Sequence, residues 1–230
     1  MGEVHSLDQR RRARTASPGG RVETRGERSQ HGSVTLWFDL ASPATYFAAE
    51  RAERMFAHLS WRPVLAGPLL ARGPRAAGAP GVAARAATAR AAELRMPLVW
   101  PDGNPAAGRA AMRVAAFAAE RAQASAFVLA ASRLAFCGGF DLDDPEILAE
   151  AAAAAALPLD ECLRAAGDRS RDAVMEAGGR RLAARGADVL PVLDVGRRLF
   201  CGEERLAQAA AAVRDAFSQH RTTPLDESAG

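Results

Sequence analysis

Apolar residues crowd into short runs near the two ends of the chain and recur at helical spacing between them. The first run, Val34-Thr35-Leu36-Trp37-Phe38-Asp39-Leu40, is β-branched and aromatic with little polar interruption, the pattern of a buried strand. Ser42-Pro43 follows at once. Over 44–58, Tyr46, Phe47, Ala49, Ala52 and Phe56 fall at helical spacing, with Glu50, Arg51 and Arg54 outside it. Serine at the N-cap and proline at the first helical position mark a sharp helix start. A second short strand over 59–65 closes a β-α-β unit before Gly67-Pro68. From 69 to 186 the pattern is helical. Pro80-Gly81, Met96-Pro97 to Pro105, Gly138-Gly139, Pro158 and Gly167 punctuate it into five or six helices, with alanine-rich faces over 82–94, 106–123, 125–137, 145–156 and 170–185. Strand character returns over 189–195 and 198–201 around the turn Gly196-Arg197, predicting a hairpin. A last amphipathic helix runs from Glu203 through Leu206, Ala209, Val213 and Phe217.

The ends are different in kind. Residues 1–33 are polar and rich in Arg, Ser and Gly, and cannot offset their ordering entropy by burial, so a disordered basic tail is expected there; an arm for nucleic acid or a membrane surface is the other reading of Arg10-Arg11-Arg12-Ala13-Arg14. Residues 218–230 read as a flexible tail. The 230 residues carry a formal charge of +3, and residues 1–33 hold seven arginines against four acids, so the whole excess lies in the tail and the remaining body is neutral. A neutral body argues against a nucleic-acid partner. No run approaches the ~18–20 apolar residues of a membrane span, and no signal peptide is indicated, so a cytoplasmic protein without membrane contact is expected. The three cysteines, Cys137, Cys162 and Cys201, form neither CxxC nor zinc spacing. Dithiol chemistry and a structural metal are therefore not expected. Histidines are confined to the tails apart from His58, which reads as a surface residue, and no hydrolase triad, P-loop or dinucleotide fingerprint is present.

Strand, helix and strand, then a helical block, then a proline-led hairpin and a terminal helix is the thioredoxin plan with an all-helical insertion. Four strings sharpen this: Phe38-Asp39-Leu40-Ala41-Ser42-Pro43-Ala44-Thr45-Tyr46-Phe47-Ala48, Trp61-Arg62-Pro63-Val64-Leu65-Ala66-Gly67, Ala111-Met112-Arg113-Val114-Ala115, and 186–206 with Val189-Leu190-Pro191 and Phe200-Cys201-Gly202-Glu203-Glu204-Arg205-Leu206. Together, over about 34–217, they resemble the family of 2-hydroxychromene-2-carboxylate isomerases and kappa-class glutathione transferases, a branch of the DsbA superfamily. The resemblance implies an α/β fold: a thioredoxin-like domain from 34–66 and 187–217, and a helical insertion domain over 67–186. It implies a glutathione-dependent isomerase or transferase, or one using another low-molecular-weight thiol, acting on a small hydrophobic or aromatic substrate. Homodimers are common in that family.

The resemblance also assigns roles. Ser42 stands where a redox relative carries Cys-x-x-Cys, and a hydroxyl cannot form a disulfide. It can donate a hydrogen bond to a thiolate at a helix N-terminus. The helix end contributes roughly 0.3–1 kcal/mol and a hydrogen bond to a charged group about 1.5–3 kcal/mol. At ~1.4 kcal/mol per pKa unit, the two suffice to bring a thiol of pKa ~8.5 near neutrality. Leu190 and a cis Pro191 would hold the cysteinyl part of the ligand, Gly202, Glu203 and Glu204 its glutamyl end, and Arg72 its glycyl carboxylate. Each has a plainer reading: Ser42 as a helix cap, Pro191 as an ordinary trans proline opening a strand, and the two glutamates as complements to a helix dipole. Cys137 and Cys162 read as apolar core residues, and Cys201 as a thiol near the cleft. The alternative function is a non-catalytic thioredoxin-fold binding module, which the double glutamate and the apolar stretch 66–74 favour.

Overall fold

The computed structural model describes residues 34–70, 81–100 and 108–221. The tail reading for 1–33, the part of the 218–230 reading from 222 onward, and the candidate Arg72 lie outside the described residues; residues 218–221, expected in a tail, are instead the last turn of the terminal helix. The elements are β1 (Val34–Phe38), α1 (Pro43–Met55), β2 (Leu59–Pro63), a single turn α2 (Gly67–Leu70), α3 (Val82–Leu94), α4 (Arg109–Glu120), α5 (Ala124–Phe136), α6 (Pro145–Ala154), α7 (Leu159–Gly167), α8 (Ser170–Ala184), β3 (Val192–Val195), β4 (Arg198–Cys201), a 3-10 turn (Glu203–Arg205) and α9 (Leu206–Arg221). The sheet order is β2-β1-β3-β4. β1 runs parallel to β2, with α1 as the crossover such a pair requires. β3 returns antiparallel to both β1 and β4.

The alternation along β1 sorts its side chains onto two faces. Val34, Leu36 and Phe38 join one core with Leu193, Phe200 and the buried faces of α1, α4, α5, α6 and α7. Trp37 packs on the other face against Val64, Leu69, Leu182, Leu190 and Val192. Small residues let the helices come close. In α4, Ala111, Ala115 and Ala118 are fully buried beside Met112 and Val114. In α8, a Cβ on Gly178 would stand 2.7 Å from Val64 Cγ1 and 3.5 Å from the Trp37 ring, so the helix lies directly on the sheet only because that position has no side chain.

Several boundaries differ from the sequence pattern, among them β2, which ends at Pro63 and not at 65. The strand expected over 189–195 pairs only from Val192, because Pro191 has no N–H to give the ladder. The last helix, expected to open at Glu203, begins at Leu206 after the 3-10 turn. A further helix, α7, fills the interval between Pro158 and Gly167. No helix among the described residues is long and apolar enough to cross a membrane.

Candidate active site

The site is assembled where β1 ends and β3 begins. Because Trp37 pairs with Val192, the antiparallel register brings Pro191 to the level of Phe38 and Leu190 to the level of Asp39. The turn that leads into α1 therefore faces the Leu190–Pro191 bond, which is cis. Pro191 is buried, and its carbonyl accepts the Gly202 N–H at 2.8 Å, which ties the start of the terminal helical segment to the same turn. Gly202 sits at φ +91°, ψ 150°, a conformation essentially reserved for glycine. The Leu190 N–H and carbonyl find no hydrogen-bond partner among the described residues.

Ser42 is the N-cap of α1 in extended conformation, with Pro43 behind it, yet its hydroxyl makes no capping hydrogen bond. Other groups hold the turn. The Ser42 N–H donates to the Asp39 carbonyl at 3.2 Å, the Thr45 N–H to the Ser42 carbonyl at 2.9 Å, and the Thr45 hydroxyl to the Asp39 carbonyl at 2.8 Å. The Asp39 carboxylate accepts the Ala41 N–H and, from the turn after β2, the Ala66 N–H, each at 2.9 Å. Asp39 is thus a staple between the two turns that flank the candidate cleft. Burial raises its pKa above 3.8, against the lowering effect of the two amides. Ser42 is half-buried, and its hydroxyl has no hydrogen-bond partner among the described residues.

The two glutamates of the last turn have different fates. Glu203 points inward and its side chain is 4% exposed. Its carboxylate accepts from Arg51 NH1 of α1 at 2.7 Å, from Arg90 Nε of α3, and from Arg90 NH2 at 3.3 Å. Charge-assisted bonds of this kind contribute about 1.5–3 kcal/mol each. Glu204 is exposed, with its carboxylate folded over the Cα of Gly202. Of the cysteines, all free, Cys162 is buried and Cys201 half-buried; burial pushes both thiols up, away from the thiolate. Cys137 is half-buried and donates to the Tyr46 hydroxyl at 3.1 Å, so it is a polar partner and not simply core filling. His58 is exposed. No metal-type grouping occurs among the described residues.

The sequence pattern did not single out Asp39, Arg51 or Arg90. An acid within the otherwise apolar run 34–40 was the one available signal for Asp39. The arginines lie 152 and 113 residues from the glutamate they meet, and nothing in local sequence pairs them.

No family model matches the chain, and no curated protein does. Among solved structures it is similar to a 2-hydroxychromene-2-carboxylate isomerase, with TM-score 0.66 and 18% identity over 82% of this chain and 98% of the other. It is also similar to a probable DsbA oxidoreductase from Streptomyces coelicolor, with TM-score 0.63 and 22% identity over 84% and 92%. Strand order, cis-proline turn and these likenesses define a thioredoxin-like α/β fold. The same fold, with a helical block after β2, is shared with these two structures.

The residues present fit the sulfur-bearing part of a cysteinyl thiol: a free hydroxyl at a helix start, and an unpaired backbone before the cis proline. They do not fit a ligand ammonium at Glu203, because that carboxylate is already neutralised by two guanidinium groups.

Proposed function

We propose that the chain is a non-redox DsbA-like enzyme, a thiol-dependent isomerase or transferase of the 2-hydroxychromene-2-carboxylate isomerase type, using glutathione or another low-molecular-weight thiol. One observation carries this reading: Ser42 occupies the N-cap of α1 while its hydroxyl is left unused by the helix. A capping serine spends its oxygen on the N2 or N3 amide; this one keeps it for the cleft. When bound, a thiolate supplies a nucleophilic sulfur for addition to a hydrophobic or aromatic electrophile. Ser42 donates to the sulfur, the positive end of α1 favours its charge, and the open Leu190 backbone aligns the peptide-like part. Asp39 holds the Ser42 turn in place. The likeness to an isomerase of that type supports the assignment to an enzyme.

Calorimetric titration of glutathione and N-acetylcysteine into wild type and Ser42→Ala tests it. The loss of one hydrogen bond to a charged group predicts roughly 10- to 100-fold weaker thiol binding in the variant at neutral pH. Equal affinities, or no thiol binding by wild type, would overturn the proposal. The commitment of Glu203 favours a second reading, a binding module without turnover. That reading predicts capture of a ligand with no reaction, and a thiol-conjugating activity lost in Ser42→Ala would exclude it.

A further inference from the structure

We infer that Asp39 is a positioning residue, and that a proton on its carboxyl group decides how firmly the two turns flanking the candidate cleft are held together. β1 and β2 stay in register up to the bond from the Val64 N–H to the Phe38 carbonyl, at 2.9 Å. Beyond it the chains part into their turns. Among the described residues one hydrogen bond then crosses between the turns, from the Ala66 N–H to Asp39 Oδ2 at 2.9 Å. The other oxygen, Oδ1, takes the Ala41 N–H of the Ser42 turn, also at 2.9 Å. The carboxylate thus serves each turn with a separate oxygen, in a residue only 7% exposed.

An ionised carboxylate accepts on both oxygens, whereas protonation turns one of them into a donor. Whichever oxygen carries the proton, the amide facing it is left with a poor acceptor, so the neutral acid does not hold both turns. The main-chain carbonyl of the same residue does not titrate. It keeps the Ser42 N–H and the Thr45 hydroxyl in either state, so the start of α1 stays formed while its tie to the turn after β2 changes. The forces on the proton oppose each other: burial, the largest, favours the neutral acid, while the Ala41 and Ala66 amides and, at longer range, the Arg109 guanidinium of α4 favour the ionised one. Arg109 is exposed and shared with Asp172 and Glu176 of α8. The other side chains bonded to this turn are uncharged: Thr45 from α1, and Met112 from α4, whose sulfur takes the Leu40 N–H at 3.3 Å. The form that is easier to bury is therefore not the form that joins the turns. For the function proposed above, on which this consequence rests, a thiol held at Ser42 meets a fixed cleft when Asp39 is ionised and a loosened one when it is neutral.

The test is an NMR titration of the full chain from pH 3.8 to neutrality, following the Asp39 carboxyl carbon and the Ala41 and Ala66 amides. The expected result is that all three move together with one midpoint above 3.8. Below that midpoint the protection of the Ala66 amide against hydrogen exchange, corrected for the intrinsic pH dependence of exchange, falls about tenfold. These readings are made on wild type and depend on no variant. In Asp39→Asn the common midpoint disappears, and in Arg109→Gln, which removes the guanidinium that favours the ionised acid, it moves up. A carboxyl carbon that titrates without the Ala66 amide, a midpoint at or below 3.8, or a midpoint that Arg109→Gln leaves in place or lowers overturns the inference. Glutathione, titrated calorimetrically into wild type and Asp39→Asn on both sides of the midpoint, separates this device from the function. The ratio of wild-type to variant affinity, in which the ligand's own ionisation cancels, is expected to drop several-fold below the midpoint. A flat ratio overturns the coupling to the cleft, whereas glutathione that binds at no pH, with the amides titrating as expected, rejects the proposed function and upholds the proton-controlled tie.

Discussion

Glu203 and Asp39 are buried carboxylates with opposite partners, and the difference decides what each does for the protein. Glu203 is surrounded by charge: Arg51 and Arg90 reach it from α1 and α3, and Arg90 extends to Glu93 at 2.7 Å. Replacing it by Gln keeps the shape but leaves two half-buried guanidinium groups facing a neutral amide. We expect Glu203→Gln to cost about 1–3 kcal/mol, read as a lower urea midpoint with an unchanged m-value. An unchanged midpoint would mean that the trio contributes nothing. Asp39 has no ion pair but two amide dipoles, those of Ala41 and Ala66, with the charge of Arg109 at longer range, and its pKa is raised by burial. A raised folded-state pKa means that the native state holds the proton more tightly than the unfolded chain. Its contribution therefore falls as pH rises through the window from about 3.8 to the raised value. Denaturation curves across that window should show wild type losing stability relative to Asp39→Asn as pH rises. Parallel curves would contradict the shift. Neither residue could be assigned from the chain alone, since an acid reads as exposed until a distant partner buries it, whereas Ser42-Pro43 marks a helix start in the dipeptide itself.

Among the elements, those with strong local signals were legible, and those shaped by packing were not. α1 was visible in its Ser-Pro start, and α3 in its run of alanines after Pro80-Gly81. β3 is three residues shorter than its apolar pattern predicts, because apolar character continues through Val189 and Leu190 while Pro191 denies the ladder a donor. α8 carries the least periodic pattern of the helices. Its place in the fold depends on Gly178, where helix and sheet meet without an intervening side chain. In an exposed helix, Gly178→Ala would stabilise by roughly 0.5–1 kcal/mol through propensity. Here the added methyl meets Val64 at 2.7 Å, so the sign reverses and we expect a loss of about 1–3 kcal/mol. A thermal or urea melt decides between the two, and a stabilised variant would show that α8 can retreat from the sheet at little cost.

At the scale of the molecule, the candidate site belongs to no single stretch of chain. Ser42 and its turn come from the start of the fold, the cis-proline turn and Gly202 from its end, and Arg90 of the helical block holds the closing turn in place through Glu203. The family resemblance covered this juxtaposition because it rests on strings in order along the sequence, but the charge trio of Arg51, Arg90 and Glu203 has no string to announce it. The pairing of β1 with β3 joins Val34 to Val195, so about 160 residues separate partners in the centre of the sheet. At ~5–20 residues per second, a ribosome takes roughly 8–32 s to produce the second of them after the first. Throughout that interval β1 has only β2 beside it, and its other edge, the unpaired backbone N–H and C=O groups of 34–37, stands open. The helical block emerges during the same interval and can cover the faces of the sheet but not its edge. The nascent protein is therefore most exposed to mispairing and chaperone capture just before its last forty residues are made, and the cleft comes into existence only when they arrive.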